Sequence, residues 1–284
     1  MAVALGLLTA LCWGTVDVLA ATAARRGSSF PVVLGFQLTS ALFLVVLAAA
    51  TGALGDTDAG DMPFFVALGL LGATGYVAFY RALSIGPISV VSPIGSGYAA
   101  VTVIFAVLLA GERLSRAEAC AVVVVFAGVA LAAADVRRIR QAGHVQARAI
   151  ALTLLAVAVF GAYVLGIAER VDELGWLLPV LYARIAATGF VVAAAAGLGE
   201  LRLPRSAIAL LAVTAAGVLD ALGYVAFNLG AREADTSVVV TASAPYAVVP
   251  IAAGVLLFRE RPTVSQWTGI ATVVTGVVLL GLVS

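Results

Sequence analysis

Apolar residues follow one another along this chain in ten long stretches, separated by short polar or turn-forming segments. A helix needs about 20 mostly apolar residues to cross a bilayer. The pattern therefore predicts an all-α integral membrane protein. Its ten transmembrane helices, numbered here as spans 1 to 10, are expected at about 2–24, 30–53, 63–84, 87–110, 116–134, 149–169, 175–198, 206–231, 236–258 and 264–283.

The breaks between spans contain residues that end helices or form turns. Gly86 and Pro87 predict a very tight turn between spans 3 and 4, with Pro87 suited to the first turn of span 4. The longest polar stretch, 135–148, lies at the middle of the chain and holds four arginines and the only histidine, His144. We expect it to link two halves, 1–134 and 149–284.

The two halves are related by an internal repeat with an offset of 148 residues. The sequence Gly-Tyr-Val-Ala-Phe at 75–79 recurs at 223–227, and 16 of the 41 positions from 75 to 115 are identical to their counterparts without a gap. Each repeat holds five spans, and an odd number means that the second repeat enters the membrane from the opposite side. Such inverted repeats are typical of secondary transporters, whose substrate site lies near the midplane at the repeat interface.

Two stretches of the chain resemble the EamA repeat of the drug/metabolite transporter superfamily. The first runs from Tyr80 to Ile94 and on through Gly-Glu-Arg at 111–113, and the second runs from Gly217 through Arg-Glu-Arg at 259–261. Trp13-Gly14 in span 1 also fits. The resemblance covers essentially the whole chain and implies export or exchange of small organic metabolites.

The chain departs from the family pattern in spans 4 and 9. Many members have a proline directly after the tyrosine of these spans, where this chain has Ala99 and Ala247. The glycine that precedes the second glutamate of the pattern is Arg259 here. The positions at which the family's helices break are therefore not transferred to this chain.

Composition agrees with a bilayer environment. Hydrophobic residues make up 63% of the chain and charged residues 11%, whereas a soluble domain has about 25% charged residues. The net charge of +1 gives no electrostatic case for a nucleic-acid partner. All 16 basic residues are arginine, so no lysine is present to form a Schiff base. The first apolar run lacks a basic leader and is expected to be a retained span in a multi-pass protein of the cell membrane.

Three charged residues lie deep inside predicted spans, where a charge costs about 2.5–3.5 kcal/mol on insertion scales. They are Asp17 in span 1, Arg184 in span 7 and Asp220 in span 8. One hypothesis is a polar cavity in which a carboxylate binds a proton or a cationic substrate, and Arg184 pairs with a carboxylate or an anionic substrate. The alternative is a structural Asp–Arg pair that locks helices together. Asp220 also matches an acidic position of the resembled repeat.

Further residues within the spans complete the candidate site. Four tyrosines form two repeat-related pairs that lie well inside the spans, away from the interfacial belts where tyrosine is common. Prolines inside spans free backbone carbonyls and kink helices, which is tolerated where they line a cavity. The candidate binding or coupling residues are Asp17, Asp220, Arg184, Trp13, Tyr76, Tyr98, Tyr224, Tyr246 and Asn228, and the candidate helix breaks or gates are Pro93, Pro245 and Pro250.

Two other features are interpreted as structural. Glu112-Arg113 and Glu260-Arg261 flank the ends of spans 4 and 9, where helix-end pairing explains them. The pairs Gly69/Ala73 and Gly217/Ala221 have the small-xxx-small spacing that allows close helix contact, and we assign them to packing.

These observations favour a transporter. No H-E-x-x-H, G-x-S-x-G or P-loop motif is present, and no Cys/His cluster suits a metal, so we expect no enzymatic activity, no metal and no cofactor. We expect a secondary carrier of a small organic molecule, lined by spans 1, 3, 4, 6, 8 and 9, with proton coupling as one option. A lipid or lipid-precursor translocator and a membrane receptor or scaffold stay as alternatives, and both a monomer and a homodimer stay open.

The arginines in the loops give an orientation. Loops after odd-numbered spans hold ten arginines and loops after even-numbered spans hold four. By the positive-inside rule, this bias predicts both termini outside the cytoplasm. The resemblance implies the opposite, with both termini inside.

Overall fold

The computed structural model describes residues 1–24, 29–53, 61–133, 144–258 and 263–283. Within these ranges the chain is helical and contains no strand. The helices are α1 (Ala2–Ala24), α2 (Ser29–Thr51), α3 (Met62–Ile85), α4 (Ile88–Gly95), α5 (Tyr98–Phe105), α6 (Arg116–Ala133), α7 (His144–Ala168), α8 (Val171–Leu174), α9 (Leu178–Gly197), α10 (Ala207–Ala231), α11 (Thr236–Ser243), α12 (Val248–Phe258) and α13 (Val264–Val283). A π-helical turn, Ala106–Ala110, follows α5, and a 3-10 segment, Ala244–Ala247, joins α11 to α12.

Eight helical stretches in the described ranges are long and apolar enough to cross a membrane. They correspond to predicted spans 1 to 4 and 6 to 9. Spans 5 and 10 are present as α6 and α13, with Trp267–Leu280 as a shorter apolar stretch in α13. Large apolar side chains such as Leu108, Leu211 and Leu256 are exposed on the outer surface, as expected for a protein that is solvated by lipid. The chain is a multi-pass membrane protein.

Predicted spans 4 and 9 are each broken near the middle. In span 4, Pro93 lacks the N–H that would continue the helical hydrogen bonds, and α4 ends at Gly95 before α5 begins at Tyr98. In span 9, Pro245 lies within the 3-10 segment. Pro250, also predicted to break a helix, instead occupies the third position of α12, where its missing N–H leaves no intrahelical bond unmade.

Three helix ends differ from the prediction. Pro87 is the N-cap of α4, with extended backbone, and so precedes the first turn in which it was expected. α7 begins at His144, so the last five residues of the predicted linker are helical; residues 135–143 lie outside the described ranges. The start of predicted span 7 is replaced by a turn, because Gly175 has a φ of 76° and α9 begins only at Leu178.

The repeated Gly-Tyr-Val-Ala-Phe segment explains how the two repeats interlock. Its first residue is Gly75 in α3 and Gly223 in α10. A Cβ on Gly75 would lie 2.5 Å from the ring of Phe160 in α7, and a Cβ on Gly223 would lie 2.5 Å from the ring of Trp13 in α1. Each glycine thus gives room to an aromatic ring from the first helix of the other repeat. Residues of both halves therefore pack into the same hydrophobic clusters.

A carboxylate also connects the repeats at the N-terminal end of α11. Glu112, in the loop that follows the π-helical turn, accepts hydrogen bonds from the backbone N–H groups of Thr236 at 2.8 Å and Ser237 at 3.0 Å. Asp235, the N-cap of α11, makes no capping bond with its side chain. Burial raises the pKa of Asp235, and the neighbouring Glu112 and Glu118 raise this pKa further. Glu112 therefore caps a helix of the other repeat. Glu260 and Arg261, the repeat counterparts of Glu112 and Arg113, lie outside the described residues.

The glycines assigned to packing make close helix contacts. A Cβ on Gly217 in α10 would lie 2.8 Å from the carbonyl oxygen of Phe36 and 2.9 Å from the backbone nitrogen of Ser40, both in α2. A Cβ on Gly69 in α3 would lie 2.4 Å from Ala186 Cβ in α9. Two helix backbones are thus in direct contact at each site.

We predict that Gly217→Ala destabilises the protein, because the new methyl group meets backbone atoms that cannot move without shifting the whole of α2. The expected loss is about 1–3 kcal/mol, as for other overpacked cores. It is measured by unfolding the purified protein with SDS in mixed micelles. The matched control is Gly189→Ala in α9, where a Cβ meets nothing within 4 Å. If the two variants lose equal stability, direct contact of the α2 and α10 backbones is not what stabilises this interface.

Candidate functional site

A buried ion pair joins α9 to α10. Arg184 has no exposed surface and Asp220 is 3% exposed. Arg184 Nη2 donates a short hydrogen bond to Asp220 Oδ2. The two residues were predicted separately as charged positions inside spans, and the structure brings them together. A charge buried in this way is stable only if it is paired and hydrogen-bonded.

Polar side chains from two more helices complete this pair. The Tyr76 hydroxyl in α3 accepts a hydrogen bond from Arg184 Nη2 at 2.9 Å and donates one to Asp220 Oδ1 at 3.0 Å. Ser40 in α2 donates to Asp220 Oδ2 at 3.3 Å. Gln37, also in α2, accepts a short hydrogen bond from Arg184 Nη1 through Oε1. Both oxygens of Asp220 therefore have partners within the protein.

Aromatic rings surround the guanidinium group. The Cζ atom of Arg184 lies 4.7 Å from the centre of the Tyr76 ring, 5.4 Å from that of Phe36 and 5.5 Å from that of Tyr224. Cation–π contacts of this kind stabilise a desolvated cation by about 2 kcal/mol. The cluster formed by Gln37, Ser40, Tyr76, Arg184 and Asp220, here called the ion-pair cluster, therefore links α2, α3, α9 and α10.

A small cavity lies beside the ion-pair cluster. The cavity has an empty volume of about 520 Å³ when its opening is included. The part of this volume in which a water molecule can be centred without overlapping the wall is about 60 Å³. Asp220 is the one charged residue among those that line it, and seven aromatic rings dominate the wall. The lining residues are Trp13, Val16, Tyr76, Phe79, Gly95, Tyr98, Ala156, Val157, Phe160, Val164, Asp220, Tyr224 and Tyr246.

Trp13 stands at the centre of the aromatic wall. Its ring centroid lies 4.8 Å from that of Tyr224, 5.8 Å from that of Tyr98 and 6.0 Å from that of Phe227. Trp13 Nε1 is buried and has no hydrogen-bond partner among the described residues. The wall therefore offers mainly ring faces, while Trp13 Nε1 is packed against Gly223 in α10.

The two broken spans meet at the cavity in a nearly symmetric way. The Tyr98 hydroxyl lies 2.9 Å from Ser243 Oγ. The repeat counterpart of Tyr98 is Tyr246, and the counterpart of Ser243 is Gly95. Because Gly95 has no side chain, the Tyr246 hydroxyl approaches its backbone and donates to the Ser92 carbonyl oxygen at 3.4 Å. Each tyrosine thus reaches the break in the other repeat.

Asp17 was expected in the same cavity, and the structure places it elsewhere. It is 5% exposed and is absent from the cavity lining. Its Oδ2 atom has no hydrogen-bond partner among the described residues. Ser92 in α4 is its polar neighbour. Within the described ranges, no arginine therefore neutralises Asp17 as Arg184 neutralises Asp220.

Asn228, Pro93 and Pro245 do not line the cavity. Asn228 lies near the end of α10, outside the cavity, and its Nδ2 donates to the Trp176 carbonyl oxygen at 2.8 Å. This bond ties α10 to the turn before α9. Pro93 and Pro245 lie together in a narrow apolar space between the two helix breaks. Pro93 and Pro245 therefore lie where the broken spans cross.

Several residues of the site were not predicted. Gln37 and Ser40 are polar residues three positions apart in an otherwise apolar span, which places them on one face of a helix and was a usable signal. Phe79 belongs to the repeated segment 75–79 but was not singled out as a site residue, and Phe160 gave no signal, because a phenylalanine inside an apolar span is ordinary. Tyr163, buried and T-shaped against Tyr224 at 5.9 Å, was detectable as a tyrosine deep in span 6.

Comparison with known proteins gives a family and a fold. The EamA-like transporter family matches residues 1–134 and 147–282. Among solved structures, 28 chains match. One of them, described only as "Crystal structure of protein", superposes with a TM-score of 0.77 at 17% identity and covers 100% of this chain and 99% of its own. At that identity the likeness concerns the fold alone. No curated protein matches the chain.

We predict that Arg184→Leu and Asp220→Leu each destabilise the protein, by about 3–5 kcal/mol, because each leaves the other charge buried and unpaired. The double variant removes both charges and is expected to be more stable than either single variant. SDS-induced unfolding of the four proteins measures these differences. If the two losses simply add in the double variant, the residues do not act as a pair.

Proposed function

We propose that this chain, which belongs to the EamA-like transporter family, is a secondary active transporter of small organic metabolites or drugs that works by alternating access in the cell membrane. The observation that carries the proposal is the cavity. It is lined by α1, α3, α4, α5, α7, α10 and the 3-10 segment, and so by both repeats. A scaffold has no need of such a space, whereas a carrier must have one.

We further propose that ten spans cross the membrane and that the second repeat is inverted relative to the first. The support is the offset of 148 residues, with five predicted spans in each unit. The reciprocal contacts of Tyr98 and Tyr246, and those of Gly75 and Gly223, also fit two related halves that face each other. Rocking of such halves around a central site is the usual basis of alternating access.

The cavity supports a small and mostly apolar substrate. A buried water needs about 10–15 Å³ of comparable space, so 60 Å³ holds roughly five waters or one small organic group. The carboxylate of Asp220 already has partners on both oxygens. Ring faces therefore provide most of the contact area.

A second candidate is the translocation of lipids or lipid precursors, which one observation favours. A groove of about 900 Å³ runs along α3, α5 and α7, with Phe64, Leu68 and Leu109 on its walls and Glu169 and Arg170 at its end. Leu109 is exposed, so the groove opens sideways. A fluorescent phospholipid that flips between leaflets in proteoliposomes, at a rate that depends on this protein, would support this candidate.

The first experiment is a thermal-shift screen of small organic metabolites on the purified protein. Compounds that raise the melting temperature are then labelled and tested for uptake or efflux in proteoliposomes, with and without a pH gradient. A carrier accumulates the compound when a gradient is imposed. If stabilising compounds bind but none crosses the membrane, the chain is a binding protein and the transport proposal fails.

We predict that Val157→Trp abolishes transport of any compound found in this way, because the larger ring fills the cavity. Val157 lines the cavity from α7. Leu154→Trp is the matched control, because Leu154 lies on the same helix with its side chain exposed on the outer surface. The control is expected to transport within about twofold of the wild type, because surface substitutions change little. Equal transport by both variants would show that the cavity is not the route.

A further inference from the structure

We infer that Asp17 and Ser92 together form a binding site for one proton, distinct from the substrate cavity, and that this site couples transport to the proton gradient. The inference rests on the proposed transport function, and it assigns coupling to Asp17 rather than to the acid of the ion-pair cluster. It follows from the burial of the Asp17 and Ser92 side chains, from the lack of a neighbouring cation among the described residues, and from a comparison of the two sequence repeats.

The first observation is a pair of buried polar groups that have only each other as partners. Asp17 in α1 is 5% exposed and Ser92 in α4 is fully buried. The Ser92 side chain lies within hydrogen-bonding reach of the Asp17 carboxylate, and neither Asp17 Oδ2 nor Ser92 Oγ has another partner among the described residues. Native proteins seldom leave buried polar atoms unpaired, and such atoms often mark a site for an ion or a proton.

The second observation concerns charge. In the described part of the chain, no arginine lies within ion-pair distance of Asp17. The titratable groups that face it are the phenols Tyr80, Tyr98 and Tyr246, from α3, α5 and the 3-10 segment. The other buried acid, Asp220 in α10, is held by Arg184. A buried carboxylate without a cation needs a bound ion or a proton.

The chemistry of the pair favours a proton over a metal ion. Hard cations take about six oxygen ligands, whereas Asp17 and Ser92 supply three side-chain oxygens. With a proton bound, the Asp17 carboxylic acid donates to Ser92 Oγ. After the proton leaves, the Ser92 hydroxyl donates to the carboxylate. One hydrogen bond can therefore exist in both states, so the pair can take up and release a proton without a change of partner.

The internal repeat shows that the two residues belong together. At the offset of 148, Asp17 corresponds to Leu165 and Ser92 corresponds to Val240. The second repeat thus has apolar residues at both positions. The acid and the hydroxyl are present together in one repeat and missing together from the other, so the protein has one such site and not two.

The site is connected to the cavity wall. Asp17 lies one helical turn after Trp13 in α1, and Trp13 and Val16 both line the cavity. The Ser92 carbonyl oxygen accepts the hydrogen bond of Tyr246, which also lines the cavity. A change in the charge of Asp17 therefore acts on residues that would contact the substrate.

The test is infrared difference spectroscopy of the purified protein between acidic and alkaline buffer. The carbonyl band of a protonated, buried carboxylic acid is expected to disappear as the buffer becomes alkaline, and to be lost in Asp17→Asn at all pH values. Ser92→Ala is expected to keep the band but shift its frequency, because the acid loses its hydrogen-bond acceptor. The control Asp172→Asn removes an exposed acid and is expected to leave the band unchanged.

Three outcomes would overturn the inference. They are absence of the band from the wild type, survival of the band in a folded Asp17→Asn protein, and its displacement by Na⁺ titrated at constant pH. Trp13 fluorescence, read in a variant in which Trp176 and Trp267 are phenylalanine, gives a second signal that must follow the same titration.

A transport assay separates this inference from the proposed function. If a compound from the screen is transported equally well by the wild type and by Asp17→Asn, with the same response to a pH gradient, the coupling site is wrong while the transporter proposal stands. If the band titrates as expected but no compound is transported, the proton site stands and the transporter proposal fails. Loss of gradient-driven accumulation in Asp17→Asn, with exchange retained, supports both.

Discussion

The guanidinium group of Arg184 has to be kept away from lipid, and much of the helix arrangement serves that requirement. The ion pair with Asp220 fixes α9 against α10, while Gln37 and Tyr76 bring α2 and α3 to the same point. Lipid offers no alternative partner, so each of these polar groups depends on the others. The cavity exists beside this cluster because rings that cover a cation cannot also fill all the space next to it.

The helices were predictable because a bilayer requires long apolar segments and tolerates few breaks, and the described helices follow the predicted spans to within a few residues at most ends. Eight of them are long and apolar enough to span, so the count of ten stays a prediction. The breaks at Gly95 and Ala244–Ala247 were less predictable, because proline can be accommodated early in a helix, as Pro250 is. The inner and outer faces of α1 could not be distinguished, because a helix that is apolar all round carries no amphipathic signal.

The candidate site was predicted as a set of residues and not as an arrangement. Asp17 and Asp220 are both carboxylates inside predicted spans, and only the fold shows that, within the described residues, Asp220 has an arginine partner and Asp17 has none. Pairing between Arg184 and Asp220 depends on how two helices rotate against each other, which sequence spacing does not encode. The repeat was the more informative signal, since the positions where it is broken, such as Asp17 against Leu165, mark the residues whose surroundings differ most.

The contact between Glu112 and the start of α11 has a consequence for hydration. The N–H groups that donate to Glu112 belong to Thr236 and Ser237, the first two residues of α11, and that helix is buried along its whole length. In a carrier whose halves separate at this end, both groups lose their acceptor and need water in its place. Opening at this end therefore requires water to reach the two N–H groups. The activity of water at the membrane surface then becomes one of the variables that set which conformation the protein adopts.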